Sequence, residues 1–243
     1  MLIYVRKSIR KGLKIKTDFD QDVVEVIMNK NCFCLQDDKH ILLTYASPFN
    51  SSYTKSRPIN VLEKMETKEA DYQNTLIMGD LNGRTKMGDD FVRDSLDKYS
   101  PINISTYVKD NVLKRNNMDH HAIDQQGRII LDLCKSSGLK VLNGRISGDS
   151  QGHFTHYPLN KPNESPSTID YALCGTSMMR EVFSFSVLPF TELSDHCCIS
   201  VTIKVNREYI VNHESEPNVK INPIKVTFIF DKKRYLRKTL RQV

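Results

Sequence analysis

The sequence contains no long apolar segment. None of its apolar runs approaches the roughly 20 residues that a helix needs to cross a bilayer. Its first residues also lack the basic start, apolar stretch and small-residue cleavage site of a secretory signal. No repeat period is evident. These absences predict an intracellular protein with no membrane partner.

Metal-binding cysteine patterns are absent as well. The six cysteines form two close pairs and two isolated residues, and none of them has the spacing of a zinc site. Intracellular chains also keep most thiols reduced. We therefore expect buried, reduced thiols rather than disulfides or metal ligands.

What the sequence does have is length and positive charge. A chain of 243 residues forms one large domain or two small ones, and it can bury a sizeable core. The formal net charge of +6 favours anionic partners, although many proteins without such partners are equally basic. Composition therefore favours an α/β domain and leaves the partner open.

The chain is organised around a strand that ends in polar residues. Residues 76–78 form a fully apolar run, typical of a strand buried on both faces, and Gly79 ends it. Because strand side chains alternate between faces, residues two apart project to the same side. We therefore expect the Asp80 carboxylate and the Asn82 amide to converge on one ligand. This pair suits a hydrated cation and a phosphate oxygen.

Two later motifs contain further candidate site residues. Asp170 lies in Ser-Thr-Ile-Asp-Tyr at residues 167–171, and Asp195 and His196 lie in Ser-Asp-His at residues 194–196. Together with Gly-Asp-Leu-Asn at residues 79–82, these segments resemble, in the same order, the signatures of the endonuclease/exonuclease/phosphatase superfamily.

Two further segments narrow the resemblance. The segment 44–48, which contains Tyr45, resembles the Y-x-P strand end of the endonuclease domain of non-LTR retrotransposons, and residues 152–155 resemble its G-x-F-T segment. The resemblance covers about residues 1–205. It implies an α/β fold of the DNase I-like type, a two-layer β-sandwich flanked by helices. Residues 206–243 are expected to form a basic C-terminal extension.

The resemblance also implies a reaction, the nicking of DNA by metal-dependent phosphodiester hydrolysis. This reaction needs an activated water, neutralised phosphoryl charge and a stabilised leaving oxygen. The implied catalytic residues are Asp80, Asn82, Asp170, His196 and Tyr45. The implied ligand of a Mg²⁺ or Mn²⁺ ion is Asp195, and the implied phosphate contacts are Thr155, Arg84 and Asn50. Asp80 would activate the water, while Asp170 would orient His196 for donation to the phosphate.

One element of the family pattern is missing. In the resembled family, two strands carrying an Asn and a metal-binding Glu precede the first segment found here, and neither motif occurs in this sequence. Glu25 lies in a predicted strand but lacks the expected context. We therefore expect a chain truncated at its N-terminus, with catalysis weakened or lost.

Two alternatives stay open. One is a catalytically inactive, nucleic-acid-binding remnant, and the other is a phosphatase or phosphodiesterase of the same fold that acts on a small phosphorylated substrate. In the nuclease interpretation the partner is DNA, the location is intracellular and includes the nucleus, and an intact ancestral polyprotein would also carry a reverse transcriptase domain.

Periodicity predicts the remaining elements. Strands are predicted at residues 23–27, 32–35, 41–45, 139–142, 154–157, 169–173, 182–188 and 197–205. Helices are predicted at residues 56–69 and 124–138, the first as a crossover between the strands that end at Tyr45 and Asp80. Residues 86–119 are predicted to be an irregular insertion. His120, His121, His153 and His156 are predicted to be loop residues, with His153 and His156 as candidates to line a groove.

Overall fold

Two β-sheets and several helices make up the described part of the chain. The computed structural model describes residues 4–20, 22–48, 51, 61–67, 72–92, 114–159, 163–206 and 223–230. In chain order its helices and strands are β1 (Leu13–Asp20), β2 (Val23–Met28), α1 (Lys30–Phe33), β3 (Lys39–Tyr45), α2 (Val61–Thr67), β4 (Thr75–Asp80), α3 (Gln125–Ser137), β5 (Lys140–Val141), β6 (Asp170–Cys174), α4 (Thr176–Met179), β7 (Val182–Val187), β8 (Ile199–Asn206) and β9 (Pro223–Phe230).

The first sheet carries the strand predicted as the centre of the chain. Its strand order within the described residues is β1-β2-β3-β4-β6-β5, so β4 lies in the interior of the sheet. All six residues of β4 are buried, as its apolar run predicts. Strands β3 and β4 are parallel, and α2 lies between them in the chain. The predicted β-α-β crossover is therefore confirmed.

The second sheet contains β7, β8 and β9, which pair antiparallel in that order. Strand β9 lies at residues 223–230, inside the segment predicted as a basic extension. It pairs with β8 along the full length from Ile199 to Asn206. The β-branched and aromatic residues of Pro-Ile-Lys-Val-Thr-Phe-Ile-Phe favour this conformation. The second sheet therefore extends beyond residue 205.

Two apolar cores place the first sheet between two layers. On one face Leu42, Ile77 and Leu173 pack with the apolar stripe of α3, which includes Ile130 and Leu133. The opposite face of the same strands packs against the second sheet, in a cluster that contains Ile41, Leu76, Met78, Ala172, Ile199, Val201 and Ile203. This alternation with period two places a helical layer on one face of the first sheet and the second sheet on the other. The predicted α/β fold with two sheets and flanking helices is confirmed.

The predictions for individual elements had mixed outcomes. The strand predicted at residues 32–35 is wrong, because this segment begins inside the short helix α1 and continues into the turn after it. The side chain of Asn29 caps that helix by accepting hydrogen bonds from the backbone N–H groups of Asn31 and Cys32. Residues 154–157 form isolated bridges at His156 rather than a strand. Helix α3 is confirmed, with Asp124 as its N-cap and Gly138 after its end.

All six cysteines are thiols in the described residues. The prediction that they are buried is confirmed for Cys134 and Cys174. It is wrong for Cys32 and Cys34, which are exposed because their segment forms α1 and the turn after it. Among the described residues, no helix combines the length and apolar character that crossing a membrane would require.

Gly79, at the centre of the first sheet, is expected to be intolerant of substitution. Its φ is +150°, and a Cβ at this position would lie 1.9 Å from the carbonyl oxygen of Thr44 on the neighbouring strand. We expect Gly79→Ala to lower the free energy of unfolding by about 1–3 kcal/mol from the strained backbone alone, and the clash adds to this loss. Urea unfolding measures the effect.

The matched control is Gly138→Ala after α3. Gly138 also has a positive φ, +74°, but the nearest atom to its added Cβ is the side-chain nitrogen of Gln73 at 3.7 Å. This control carries the cost of the backbone conformation without the clash. Equal losses for the two variants would contradict the steric argument.

Candidate active site

Three strand ends meet where the sequence motifs predict a site. Strands β4 and β6 run antiparallel, and their register places the last residue of β4, Asp80, directly opposite the first residue of β6, Asp170. On the other side, parallel pairing places Tyr45, the last residue of β3, beside Asp80. Both aspartates are fully buried, whereas Tyr45 is half-buried. Residues far apart in the chain are therefore adjacent because of strand register.

His196 completes this group. Its Nδ1 lies 2.8 Å from Oδ2 of Asp170, and its backbone N–H donates to Oγ of Ser194. Ligand atoms of Asp80, Asp170 and His196 all lie within 4.8 Å of one another. A carboxylate at Nδ1 fixes the proton on that nitrogen and points Nε2 away from the carboxylate. The structure therefore contains the Asp170–His196 pair that the motifs imply.

The carboxylate of Asp170 has one oxygen left over. Its Oδ1 is buried and accepts no hydrogen bond from the described residues. Asp80 supplies a second buried carboxylate opposite it. Burying such charges is costly unless a proton or a cation offsets them. This arrangement therefore provides oxygen atoms suited to a hard cation.

Two buried side chains hold the backbone of Asp170 in place. Thr155 Oγ1 accepts hydrogen bonds from the N–H groups of Ile169 and Asp170, at 3.0 and 2.9 Å. The Asn143 amide donates to the carbonyl oxygen of Asp170 and accepts from the N–H of Ala172. The structure thus shows Thr155 positioning Asp170, and its phosphate contact stays a prediction. Asn143 was missed from sequence, because no local pattern shows that an amide spans two backbone groups.

Asn82 lies beside Asp80, but not for the expected reason. Strand β4 ends at Asp80, and Asn82 adopts a left-handed conformation with φ of +49°, so strand alternation does not orient it. Its backbone N–H donates to Oδ1 of Asp80, and its side-chain Nδ2 donates to the carbonyl oxygen of Ala46. Asn82 therefore joins the ends of β3 and β4 through the turn after Asp80.

The remaining predicted contacts are only partly described. The backbone N–H of Arg84 donates to Oδ1 of Asp124 at the start of α3, and a phosphate contact of its guanidinium stays a prediction. Asn50 lies outside the described residues. Glu25 lies in β2 with its carboxylate 2.6 Å from Nδ1 of His40 and 3.6 Å from Lys16. Glu25 is therefore engaged in pairs along its own sheet, away from the Asp80 strand end.

Asp195 lies next to His196 and is partly exposed to solvent. Its side chain is 33% exposed, and its Oδ2 lies 4.0 Å from Nε2 of His156. The rings of His156 and His196 have centroids 4.8 Å apart. The sequence predicts His156 only as a loop residue and a candidate to line a groove. No local pattern places His156 beside the site, because its neighbours are Ser167, Asp195 and His196.

The thiol next to His196 is not a nucleophile at neutral pH. Burial, together with the negative charges of Asp170 and Cys198, raises the pKa of Cys197 to about 11. A thiol with this pKa stays protonated at pH 7. Covalent catalysis by Cys197 is therefore disfavoured, and the carboxylate and imidazole groups are left as the reactive side chains.

Comparison with known proteins gives a distant structural neighbour. No protein-family model matches the sequence, and no curated protein matches it at a significant level. Among solved structures, the chain is similar to the "Endonuclease domain of TRAS1, a telomere-specific non-LTR retrotransposon", with a TM-score of 0.47 and 13% sequence identity. The match covers 76% of this chain and 64% of that one, so the chain spans less than two thirds of its neighbour. Membership of the family therefore stays a prediction.

Proposed function

We propose that this chain hydrolyses phosphodiester bonds in DNA and acts as a nicking endonuclease. The observation that carries the proposal is the buried group Asp80, Asp170 and His196 at the meeting point of three strand ends. Open α/β sheets bind ligands at such ends. The sequence motifs supply the reaction type, and the net charge of +6 suits a polyanionic substrate.

The proposed roles follow from the contacts of each side chain. Asp170 holds His196 through Nδ1, and its negative charge favours the imidazolium form. Protonated His196 then donates from Nε2 to a non-bridging phosphate oxygen. Asp80 accepts the proton of the attacking water. Since both aspartates are fully buried while Asp195 is partly exposed, the phosphate approaches from the Asp195 and His196 side.

A divalent cation is part of the proposal, and the residues present fit one. The unsatisfied Oδ1 of Asp170, the Asp80 carboxylate and the partly exposed Asp195 carboxylate are the hard oxygen donors that Mg²⁺ or Mn²⁺ prefers. Such an ion, when bound, neutralises the charge that develops on the phosphoryl oxygens. Asp80 and Asp170 would hold it, and a contact of Asp195 with the same ion stays a prediction, because the ligand atom of Asp195 groups with those of His156 and His196.

The test is the conversion of supercoiled plasmid to nicked circles. We expect nicked circles to accumulate in the presence of Mg²⁺ or Mn²⁺ and not in the presence of EDTA. An Asp80→Asn variant, purified in parallel, controls for contaminating nucleases, because it removes the proposed base and one buried carboxylate. Equal nicking by both proteins would assign the activity to a contaminant and overturn the proposal.

A second candidate, DNA binding without cleavage, has one observation in its favour. Glu25, the glutamate nearest in sequence to the expected metal ligand, is engaged by His40 and Lys16. In that case fluorescence anisotropy should show DNA binding that weakens steeply as salt rises. The plasmid assay would then show no metal-dependent nicking.

A further inference from the structure

Three side chains on the solvent side of the site form a second group of donor atoms. Ligand atoms of His156, Asp195 and His196 all lie within 4.8 Å of one another, and Nε2 of His156 is 4.0 Å from Oδ2 of Asp195. The group contains two imidazoles and one carboxylate. This composition differs from the Asp80, Asp170 and His196 group, in which carboxylates dominate.

Both imidazoles are oriented by contacts at Nδ1. Nδ1 of His196 lies 2.8 Å from Oδ2 of Asp170, and Nδ1 of His156 lies 3.3 Å from Oγ of Ser167. In an imidazole that donates from Nδ1, the lone pair is on Nε2. Histidine ligands of metals typically bond a carboxylate, carbonyl or water through their second nitrogen. Where Nδ1 donates in these contacts, Nε2 of each histidine carries the lone pair that a metal ion requires.

The backbone fixes the three residues relative to one another. The N–H of Tyr157 donates to the carbonyl oxygen of Asp195 at 2.7 Å, and the N–H of Cys197 donates to that of Thr155 at 2.7 Å. His156 exchanges backbone hydrogen bonds with Ser167 in both directions, at 2.9 and 3.0 Å. Segments 155–157, 167 and 195–197 are therefore tied together before any ion binds, which lowers the entropy cost of assembling a site.

The donor set selects the kind of ion. Imidazole is a ligand for Zn²⁺ and other late first-row metals, whereas Mg²⁺ prefers oxygen ligands and its own waters. Bonds of about 2.0–2.2 Å in a tetrahedral site place ligand atoms about 3.3–3.6 Å apart. The 4.0 Å between His156 and Asp195 therefore needs only a small side-chain adjustment, and the partial exposure of both residues leaves room for a water as fourth ligand.

We infer that His156, Asp195 and His196 form a binding site for Zn²⁺ or a similar late transition-metal ion. The inference does not rest on the proposed nuclease function, because the three ligands and their supports are in place whether or not DNA is cleaved. If the chain is a nuclease, an ion bound to Nε2 of His196 occupies the atom that would contact the phosphate, so the site is inhibitory.

The experiment measures metal binding directly. Co²⁺ is used as a spectroscopic probe, because tetrahedral Co²⁺ absorbs visible light far more strongly than Co²⁺ bound octahedrally to surface groups, and Zn²⁺ affinity follows from displacement. The protein carries Cys32→Ser and Cys34→Ser, which remove the two exposed thiols. We expect an intense Co²⁺ spectrum that Zn²⁺ abolishes and that an equal concentration of Mg²⁺ leaves unchanged.

His156→Ala tests the assignment to these residues. Loss of a supporting partner of a ligating histidine typically weakens metal affinity about 10- to 100-fold, and loss of a ligand should weaken it at least as much. The matched control is His153→Ala, since His153 is a nearby histidine whose Nδ1 lies 2.7 Å from the carboxylate of Asp149 and which stands outside the group. Equal Zn²⁺ affinity in the His156→Ala variant and its parent would overturn the inference.

A second variant covers the case in which His156→Ala does not fold. His156→Gln keeps a polar side chain of moderate size, and its folding is checked by thermal unfolding without metal. Zn²⁺ that binds the native state raises the midpoint of thermal unfolding. We expect this rise in the parent and in His153→Ala, and its loss in His156→Gln. An unchanged rise in His156→Gln would contradict the site.

Discussion

Replacing His196 with Ala is expected to lower the rate of plasmid nicking about 100- to 10,000-fold, the range that a positioned acid or base contributes. The reason lies in the geometry of the pair. Asp170 orients the ring through Nδ1 at 2.8 Å, so that Nε2 is the donor for the phosphate. No other imidazole among the described residues bonds Asp170, so none can replace His196 as the donor. The nicking rate should therefore fall to that of an enzyme without a donor for the phosphate.

His196→Ala could lower the nicking rate by destabilising the fold as well as by removing the donor. His196 is almost fully buried, and its removal leaves the Asp170 carboxylate with two unsatisfied oxygens. His196→Asn is the better-matched variant, because the amide nitrogen of Asn occupies nearly the position of Nδ1 while nothing replaces Nε2. We expect His196→Asn to unfold at nearly the temperature of the parent and to nick as poorly as His196→Ala.

The control is a histidine in the first sheet, at the end of β3 that lies away from the site. His40 also pairs with a carboxylate through Nδ1, that of Glu25 at 2.6 Å, but it lies at the other end of β3 from Tyr45. His40→Ala should therefore nick at the parental rate. Full activity in His196→Asn, or a comparable loss in His40→Ala, would remove His196 from the reaction.

The parts of the fold that sequence predicted are those with a local signal. The apolar run at residues 76–78 predicted β4, and the Asp124 and Gly138 caps bounded α3, because burial on both faces and satisfaction of helix ends each leave marks within a few residues. The strand predicted at residues 32–35 failed because the Asn29 side chain stabilises a helical turn, which short-range β-propensity does not register.

The site depends on contacts that no local pattern encodes. Asp80 and Asp170 meet because β4 and β6 pair in one register, and only the motif order gave a reason to place them together. The contributions of His156 and Asn143 escaped prediction for the same reason. His156 is placed by bridges to residues 167 and 196, and Asn143 by the backbone of β6. A single sequence reveals such residues only when a motif already contains them.

The second large effect is expected at a buried ion pair that contacts strand β5. Both guanidinium NH₂ groups of Arg145 donate to the Asp90 carboxylate at 2.7 Å, and both side chains are almost fully buried. Oδ2 of Asp90 also accepts from the backbone N–H of Val141 in β5. We expect Arg145→Met to lower the free energy of unfolding by about 3–5 kcal/mol, because it leaves a buried carboxylate without this counterion.

The effect of Arg145→Met on stability is expected to depend on pH through the pKa of Asp90. Burial raises the pKa of Asp90, but the hydrogen bonds and charge of Arg145, the Val141 N–H and the charge of Arg115 outweigh it, so the net pKa lies below its usual value. A carboxyl group shifted in this direction stabilises the fold above its unfolded pKa of about 3.9, and that stabilisation is lost as the pH falls. Arg145→Met removes the largest influence that lowers the pKa of Asp90. Burial, which raises this pKa, then favours the neutral acid.

The loss in Arg145→Met should therefore be greater at pH 7 than at pH 5, when measured by urea unfolding at both values. Adding Asp90→Asn to Arg145→Met removes the buried charge while keeping an acceptor for the Val141 N–H, so the double variant should recover part of the lost stability. Arg115 stays nearby in every variant and partly offsets the charge of Asp90 in the single one. A loss that is independent of pH, and that the second substitution does not reduce, would show that Arg145 stabilises the fold by packing rather than by pairing with Asp90.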